Sequence, residues 1–419
     1  MSDLTPLPLR EFHESLGAKF TSVNGAEVVA DYGDVLAEHA ALTSTAGVLD
    51  LSFRSRVCLT GADRTRFLHG QVTNDVNRLK QGVGCYAALV TAKGKLESDL
   101  HIHCLADELL LDFEPGLTAA VTQRLEKFIV ADDVQVVDVA PHYGLLSIQG
   151  PKSEEIVRSL GVFAEVPSKP YASVKLNDSM LGEVYLMNLP RIEGRAGSPL
   201  PAEGSSEKSA RMQPPHPGPL PQGGEGEKGA HPDASGRPTI QGFDLYVPAA
   251  GLGAVLDKLV AAAKAIGGRA CGWTALETAR IEAGIPRFGA DMDETNIPIE
   301  CGIESRAISY NKGCYIGQEV INRIHSMGHV NRELRGLRLA DGPLPAKGDK
   351  LFRDGKEVGH VTSAVTSPKL KANIALGYVR KEVNRVGAEL ILREPNSRCM
   401  LTIVDLPFVR QDPAREGPA

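Results

Sequence analysis

The chain has 419 residues, 42% hydrophobic and 23% charged, enough to bury one large core or several smaller ones in two or three domains. A formal charge of −6 argues against a broad nucleic-acid-binding face, and no apolar run of 18 or so residues offers a membrane span. Seven scattered cysteines without a C-x-x-C pair indicate neither a disulfide framework nor a self-sufficient zinc site, and an N-terminus without basic and apolar leader regions completes the expectation of a cytoplasmic protein.

In chain order, residues 56–60 read as a strand, Asp63 as an N-cap and 64–69 as a helix. Asn74-Asp75 follows that helix and either rims a cavity or simply ends the helix in a turn. Residues 85–91 and 96–104 form a hairpin across Ala92-Lys93-Gly94-Lys95; 108–113 is a further strand and 117–129 a helix. Strict alternation along 96–104 sets Leu96, Leu100, Ile102 and Cys104 on one face, with Glu97, Asp99, His101 and His103 on the other. That polar face reads as a metal or general-base site, or as the commoner solvated strand face.

Residues 195–241 break the composition: 17 of 47 positions are Pro or Gly and none is Phe, Trp or Tyr. Strand-like segments at 182–190 and 242–247 flank this stretch, so it reads as a disordered loop inserted within one domain, with a domain linker as the alternative. Its proline-rich run at 214–221 suits either a polyproline II ligand or a solvated spacer. Residues 253–265 form a helix, and Trp273, the sole tryptophan, opens another, either to stack on a ligand or to fill a core. Beyond 333 the chain is strand-rich, with Asp354-Gly355 as a hairpin turn, which predicts a small β-barrel. Strands joined by hairpins with few helices favour α+β with mostly antiparallel sheet over a doubly wound parallel fold.

The segment Lys312-Gly313-Cys314-Tyr315-Ile316-Gly317-Gln318-Glu319 sets a cysteine between glycines, beside a cation and just before a predicted helix. Unpaired N–H groups of that helix and the Lys312 ammonium would favour a thiolate at Cys314; the alternative is a small buried hydrophobe. Imidazoles and cations at 323–332 add charge nearby.

These eight residues match the K-G-C-Y-x-G-Q-E signature of the YgfZ-type folate-binding proteins, which include iron-sulfur assembly factors and are relatives of the glycine cleavage T-protein. The resemblance extends through Gly272–Glu277, Arg280–Pro286 and Asn296–Glu300, and near the N-terminus through Ala46–Ser52 and Phe67–Val76. It implies two interlocked ferredoxin-like α+β halves over residues 1–332, a C-terminal β-barrel over 333–410 and a tail at 411–419. It further implies a tetrahydrofolate ligand and a role supporting iron-sulfur cluster assembly in client enzymes, with Cys314 as the working thiol and Asp99 as the pocket carboxylate. Asn74, Asp75, Trp273, Arg280 and Lys312 are the candidate folate-binding residues, Arg280 either gripping a folate carboxylate or pairing with a neighbouring acid. The rival reading is a tetrahydrofolate-dependent aminomethyltransferase or demethylase with Asp99 as base.

Against the rival stand three departures from the T-protein pattern. The adjacent aspartates of its catalytic stretch correspond to Ser98 and Asp99, with Lys95 for the second glycine; its pterin-binding glutamate corresponds to Ile240, and the first arginine of its Ala-Arg-Asp block to Leu276.

Overall fold

The computed structural model describes residues 4–192, 241–340, 342–393 and 398–408. Most of the 195–241 insertion and the 411–419 tail lie outside the described residues.

The first half is built on a five-stranded antiparallel sheet in the spatial order Val83–Val90, Leu96–Cys104, Leu109–Phe113, Ser55–Thr60, Gln135–Asp138. Its outer face is covered by the helices Arg64–Gln71 and Thr118–Glu126, whose Phe67, Leu68, Val121 and Leu125 pack on Val57, Leu100, Ile102 and Leu111. The helix expected to reach 129 thus stops at Glu126. Asp63 does stand at the N-cap position of its helix, but its carboxylate accepts from the Asp133 N–H across the sheet instead of capping.

The second half carries a six-stranded sheet ordered Ser173–Asp178, Gly182–Asn188, Gly242–Pro248, Tyr143–Gln149, Gly47–Asp50, Arg269–Ala270. Only the last pairing among these is parallel. The strands flanking the insertion are direct neighbours, Asn188 opposite Phe243 and Tyr185 opposite Tyr246, so the inserted segment connects two strands of one sheet. The helices Ser153–Ser159 and Leu252–Ala265 cover the outer face; the latter buries Val255, Leu256, Leu259, Val260 and Ala263 at helical spacing.

Leu49, Leu145 and Tyr246 of one sheet meet Cys58 and Leu110 of the other, with Leu276 and Ala279 of the helix Trp273–Glu282 in the same core. A third core joins Tyr86, Val90 and Leu96 to Ile281, Ile303 and, from the C-terminal barrel, Leu334, Leu376 and Tyr378. That barrel closes through Arg332–Leu339, Ala372–Arg380, Lys356–Ser367, Lys350–Arg353, Glu389–Arg393 and Arg398–Val404. Asp354 and Gly355 both take positive φ, the backbone that a tight hairpin with right-handed twist requires. The mixed α+β architecture with a closed six-stranded barrel is therefore as the sequence implies.

One expectation fails in a way that matters for the site. Strict alternation along Leu96–Cys104 breaks at a β-bulge: Val90 pairs with Leu96 but Leu89 with Ser98, leaving Glu97 as the extra residue. Leu96 therefore lies with Asp99 and His101 on the inner face, in the core with Tyr86 and Val90, while Glu97 turns outward to an ion pair with Arg124. Nor is the polar face solvated, because His103 is fully buried and burial pulls its pKa down to about 4.

Candidate functional site

Where the two sheets, the helix Trp273–Glu282 and the loop before the barrel meet, a cavity opens whose wall includes Tyr86, Asp99, His101, Glu114, Tyr171 and Trp273. Glu277 and five arginines, Arg54, Arg191, Arg280, Arg287 and Arg306, add to its polar lining. Tyr86 and His101 face each other across adjacent strands, as Ala88 and Asp99 do, so the hairpin register itself aims Tyr86, Asp99 and His101 the same way.

The Tyr86 hydroxyl donates to Asp99 Oδ2 at 2.8 Å, while Asp99 Oδ1 has no partner among the described residues. Burial, with Glu114 adding to it, raises the Asp99 pKa, so this carboxyl holds a proton more readily than an exposed one. Next along the strand, His101 Nδ1 lies 2.9 Å from the Tyr171 hydroxyl, and burial holds the imidazole neutral.

The floor is a chain of buried ion pairs. Arg54 bonds Asp112 and Glu114, Arg191 bonds Asp112 and Asp244, and Arg287 bridges Glu114 and Glu277. Arg280 ends the chain with all five N–H donors engaged: Nε and Nη2 on Glu277, Nη1 on Asp291 and the Ile285 carbonyl, and Nη2 also on Ser363 of the barrel. Burial would raise the Asp112 pKa, but Arg54 and Arg191 hold it below the usual carboxylate range. Arg280 therefore stands in the cavity wall as the structural pair, with no donor left for a ligand carboxylate. Trp273 is half-buried, edge-on to Phe53 at 5.6 Å and under the Arg287 guanidinium at 4.9 Å.

The remaining candidates fall behind or away from this cavity. Asn74 Nδ2 donates to the carbonyls of Tyr86 at 2.8 Å and Arg306 at 3.1 Å, bracing two cavity residues from outside. Asp75 Oδ1 sits 3.3 Å from His69 Nδ1. Lys312 is buried, its ammonium donating to the carbonyls of His69, Val72 and Asn74 at 2.6, 2.6 and 2.9 Å; burial draws its pKa to about 7. It thereby satisfies carbonyls at and beyond the C-terminal end of the helix Arg64–Gln71, where a cation complements the partial negative charge. It is committed there, so the ammonium expected to attract a thiolate serves carbonyl oxygens instead.

Cys314 is exposed, in contrast to Cys58, Cys85, Cys271, Cys301 and Cys399, which are buried. The helix after it begins at Gln318, capped by Gly317 with φ of 85°, so three residues separate Cys314 from the first turn. The loop is seated on the C-terminal end of the helix Arg64–Gln71, through Ile316 N–H to the Gly70 carbonyl as well as Lys312. Gly317 is required there: a Cβ would lie 2.5 Å from the Thr91 carbonyl in the hairpin turn.

Ser98 is fully buried and pairs with Leu89 on the face opposite Asp99. The serine in place of an acid thus changes the sheet's outer core and leaves the cavity carboxylate in position. Sequence reasoning missed Tyr86, Tyr171 and Arg306. The pairing of Tyr86 with His101 was available from the hairpin, whereas Tyr171 and Arg306 arrive from distant segments with no local signal.

Fold and cavity together define an α+β protein of two mostly antiparallel sheets with a polar cavity between them and an appended β-barrel. Residues 9–186 and 240–312 match the GCVT N-terminal domain, and residues 332–410 the glycine cleavage T-protein C-terminal barrel domain. The chain belongs to the glycine cleavage T-protein family. It is 27% identical to an aminomethyltransferase of Halalkalibacterium halodurans over 412 residues, covering 98% of this chain and 100% of the relative. The aminomethyltransferase of Desulforamulus reducens is likewise 27% identical over 415 residues, with 98% and 100% coverage. Among solved structures, glycine cleavage system aminomethyltransferase T from Bartonella henselae superposes with a TM-score of 0.79 at 22% identity, covering 97% of this chain and 98% of that one, a likeness of fold. Among the described residues no helix is long and apolar enough to cross a membrane.

Proposed function

We propose that this chain binds a reduced folate in the central cavity and transfers a one-carbon unit to it from an aminomethyl donor, in the manner that the name of its aminomethyltransferase relatives describes. The observation carrying this reading is Asp99 Oδ1, a buried carboxylate oxygen without a partner among the described residues, beside an Oδ2 already fixed by Tyr86. An unpartnered buried acceptor is costly unless something fills the site. A pterin supplies the missing N–H donor, and the raised pKa suits a group that exchanges a proton with the pterin-side amine during transfer. Tyr86 orients the carboxylate, the neutral His101 lines the ring site beside it, and Trp273 offers an aromatic wall. The test is product formation from tetrahydrofolate and an aminomethyl donor. Wild type yields methylenetetrahydrofolate, with the amino group of the donor released as ammonia, and Asp99→Asn yields none; absence of product with wild type refutes the transfer step.

Exposure of Cys314 favours a second reading, in which folate binding serves an accessory role in assembling or repairing iron-sulfur clusters in client enzymes. A single thiol cannot hold a cluster, since clusters commonly take four thiolates, so Cys314 would share it with a client or exchange it transiently. Cells lacking the gene, complemented with wild type or Cys314→Ala, separate the two: iron-sulfur enzyme activity restored by wild type alone supports the accessory role, and equal restoration by both removes it.

A further inference from the structure

Of the five arginines in the cavity wall, four are spoken for. Arg54, Arg191, Arg280 and Arg287 each bond two carboxylates. Arg306 alone has no acid or hydrogen-bond acceptor on its guanidinium among the described residues; its Cζ lies over the Tyr86 ring, 5.0 Å from the centroid. Its backbone, by contrast, is held: Asn74 donates to its carbonyl at 3.1 Å, and the Thr73 hydroxyl to the next carbonyl, that of Ala307, at 2.6 Å. The main chain is thus pinned while the charged end is left uncommitted.

Arg306 also lines a second cleft, between Ala283-Gly284, Cys301-Gly302 and the barrel residues Glu333 and Arg335, so it stands on the boundary of two openings. Glu300, Glu333 and Asp405 border that cleft, which disfavours a tail bearing many negative charges there. A guanidinium free of acids, stacked on the tyrosine that also holds Asp99, fits one carboxylate arriving from the ring site.

We propose that Arg306 is the anion-reading residue of this protein and takes the carboxylate of the ligand's glutamyl tail. The assignment rests on the folate reading of the cavity and adds its polarity: ring toward Asp99, tail toward Arg306. Arg280, the residue that sequence alone offered for this task, is excluded by its saturated hydrogen bonding.

The experiment is a binding titration of full-length wild type, Arg306→Ala and Arg306→Lys, each first shown by its melting curve to be folded. The two probes are 5-formyltetrahydrofolate and 6-methyltetrahydropterin, which lacks the tail, the pterin being followed by ligand NMR at millimolar concentration. Arg306→Ala should weaken the folate roughly tenfold or more, as expected for a charge-assisted hydrogen bond, and leave the pterin unchanged. Arg306→Lys should recover part of the loss, since it keeps the charge without the planar fork. Unchanged folate affinity in Arg306→Ala, or an equal loss for both probes, overturns the assignment while the folate reading stands. Failure of wild type to bind either probe overturns both.

Discussion

Among the described residues, Asp99 is the one acid of the cavity wall whose carboxylate has no cationic partner; Glu114 and Glu277 are each shared between two arginines. Burial raises the Asp99 pKa, so over the range between the unfolded and folded values the native state binds its proton more tightly than the unfolded chain does, and this residue lowers stability progressively as pH climbs from the unfolded value, near 4, through the folded one. Asp99→Asn removes that cost. The variant should therefore melt at or above the wild-type temperature at pH 7, with the difference narrowing toward pH 4, even as folate-dependent turnover is lost. Thermal melts across that range check the sign; a variant less stable at pH 7 would show that the carboxylate is stabilised by contacts other than Tyr86.

Between hairpin, helix and signature loop, sequence legibility divides cleanly. The hairpin was legible because its turn chemistry and apolar spacing are local, and so was the helix at Trp273. The bulge at Glu97 was not, because a single extra residue reverses face assignment without altering composition. Lys312 was misread for a related reason: beside Cys314 in sequence, it is drawn by three carbonyls at and beyond the end of a helix some 240 residues earlier. Lys312→Ala leaves those carbonyls without their donor in a buried site and should cost roughly 2–4 kcal/mol. Chemical denaturation measures this; a change below about 0.5 kcal/mol would mean water replaces the ammonium freely. Cys314→Ala, on the same loop but exposed, should leave the midpoint unchanged.

At the scale of the whole molecule, the cavity belongs to no single segment. Its carboxylate comes from the first sheet and its tryptophan from a later helix, while Arg280 runs from that helix through Asp291 and Ser363 into the barrel. Antiparallel α+β class and barrel could be read from strand patterns; the ion-pair chain could not, since Arg54, Asp112, Arg191 and Asp244 are far apart in sequence and unremarkable singly. The 195–241 insertion joins adjacent strands closed by Asn188 and Phe243, so replacing residues 195–239 with a short turn should change stability by less than about 1 kcal/mol, loop-closure entropy varying slowly with length. A larger fall in the denaturation midpoint would assign the insertion a packing role.

The most direct test of the account is calorimetric titration of tetrahydrofolate into wild type, Asp99→Asn and Cys314→Ala under anaerobic conditions. Saturable one-site binding to wild type, equal binding by Cys314→Ala, and affinity weakened roughly tenfold or more in Asp99→Asn, which loses the buried carboxyl that meets the ligand, are the expected results. Absence of binding to wild type, or undiminished binding by Asp99→Asn, would contradict it.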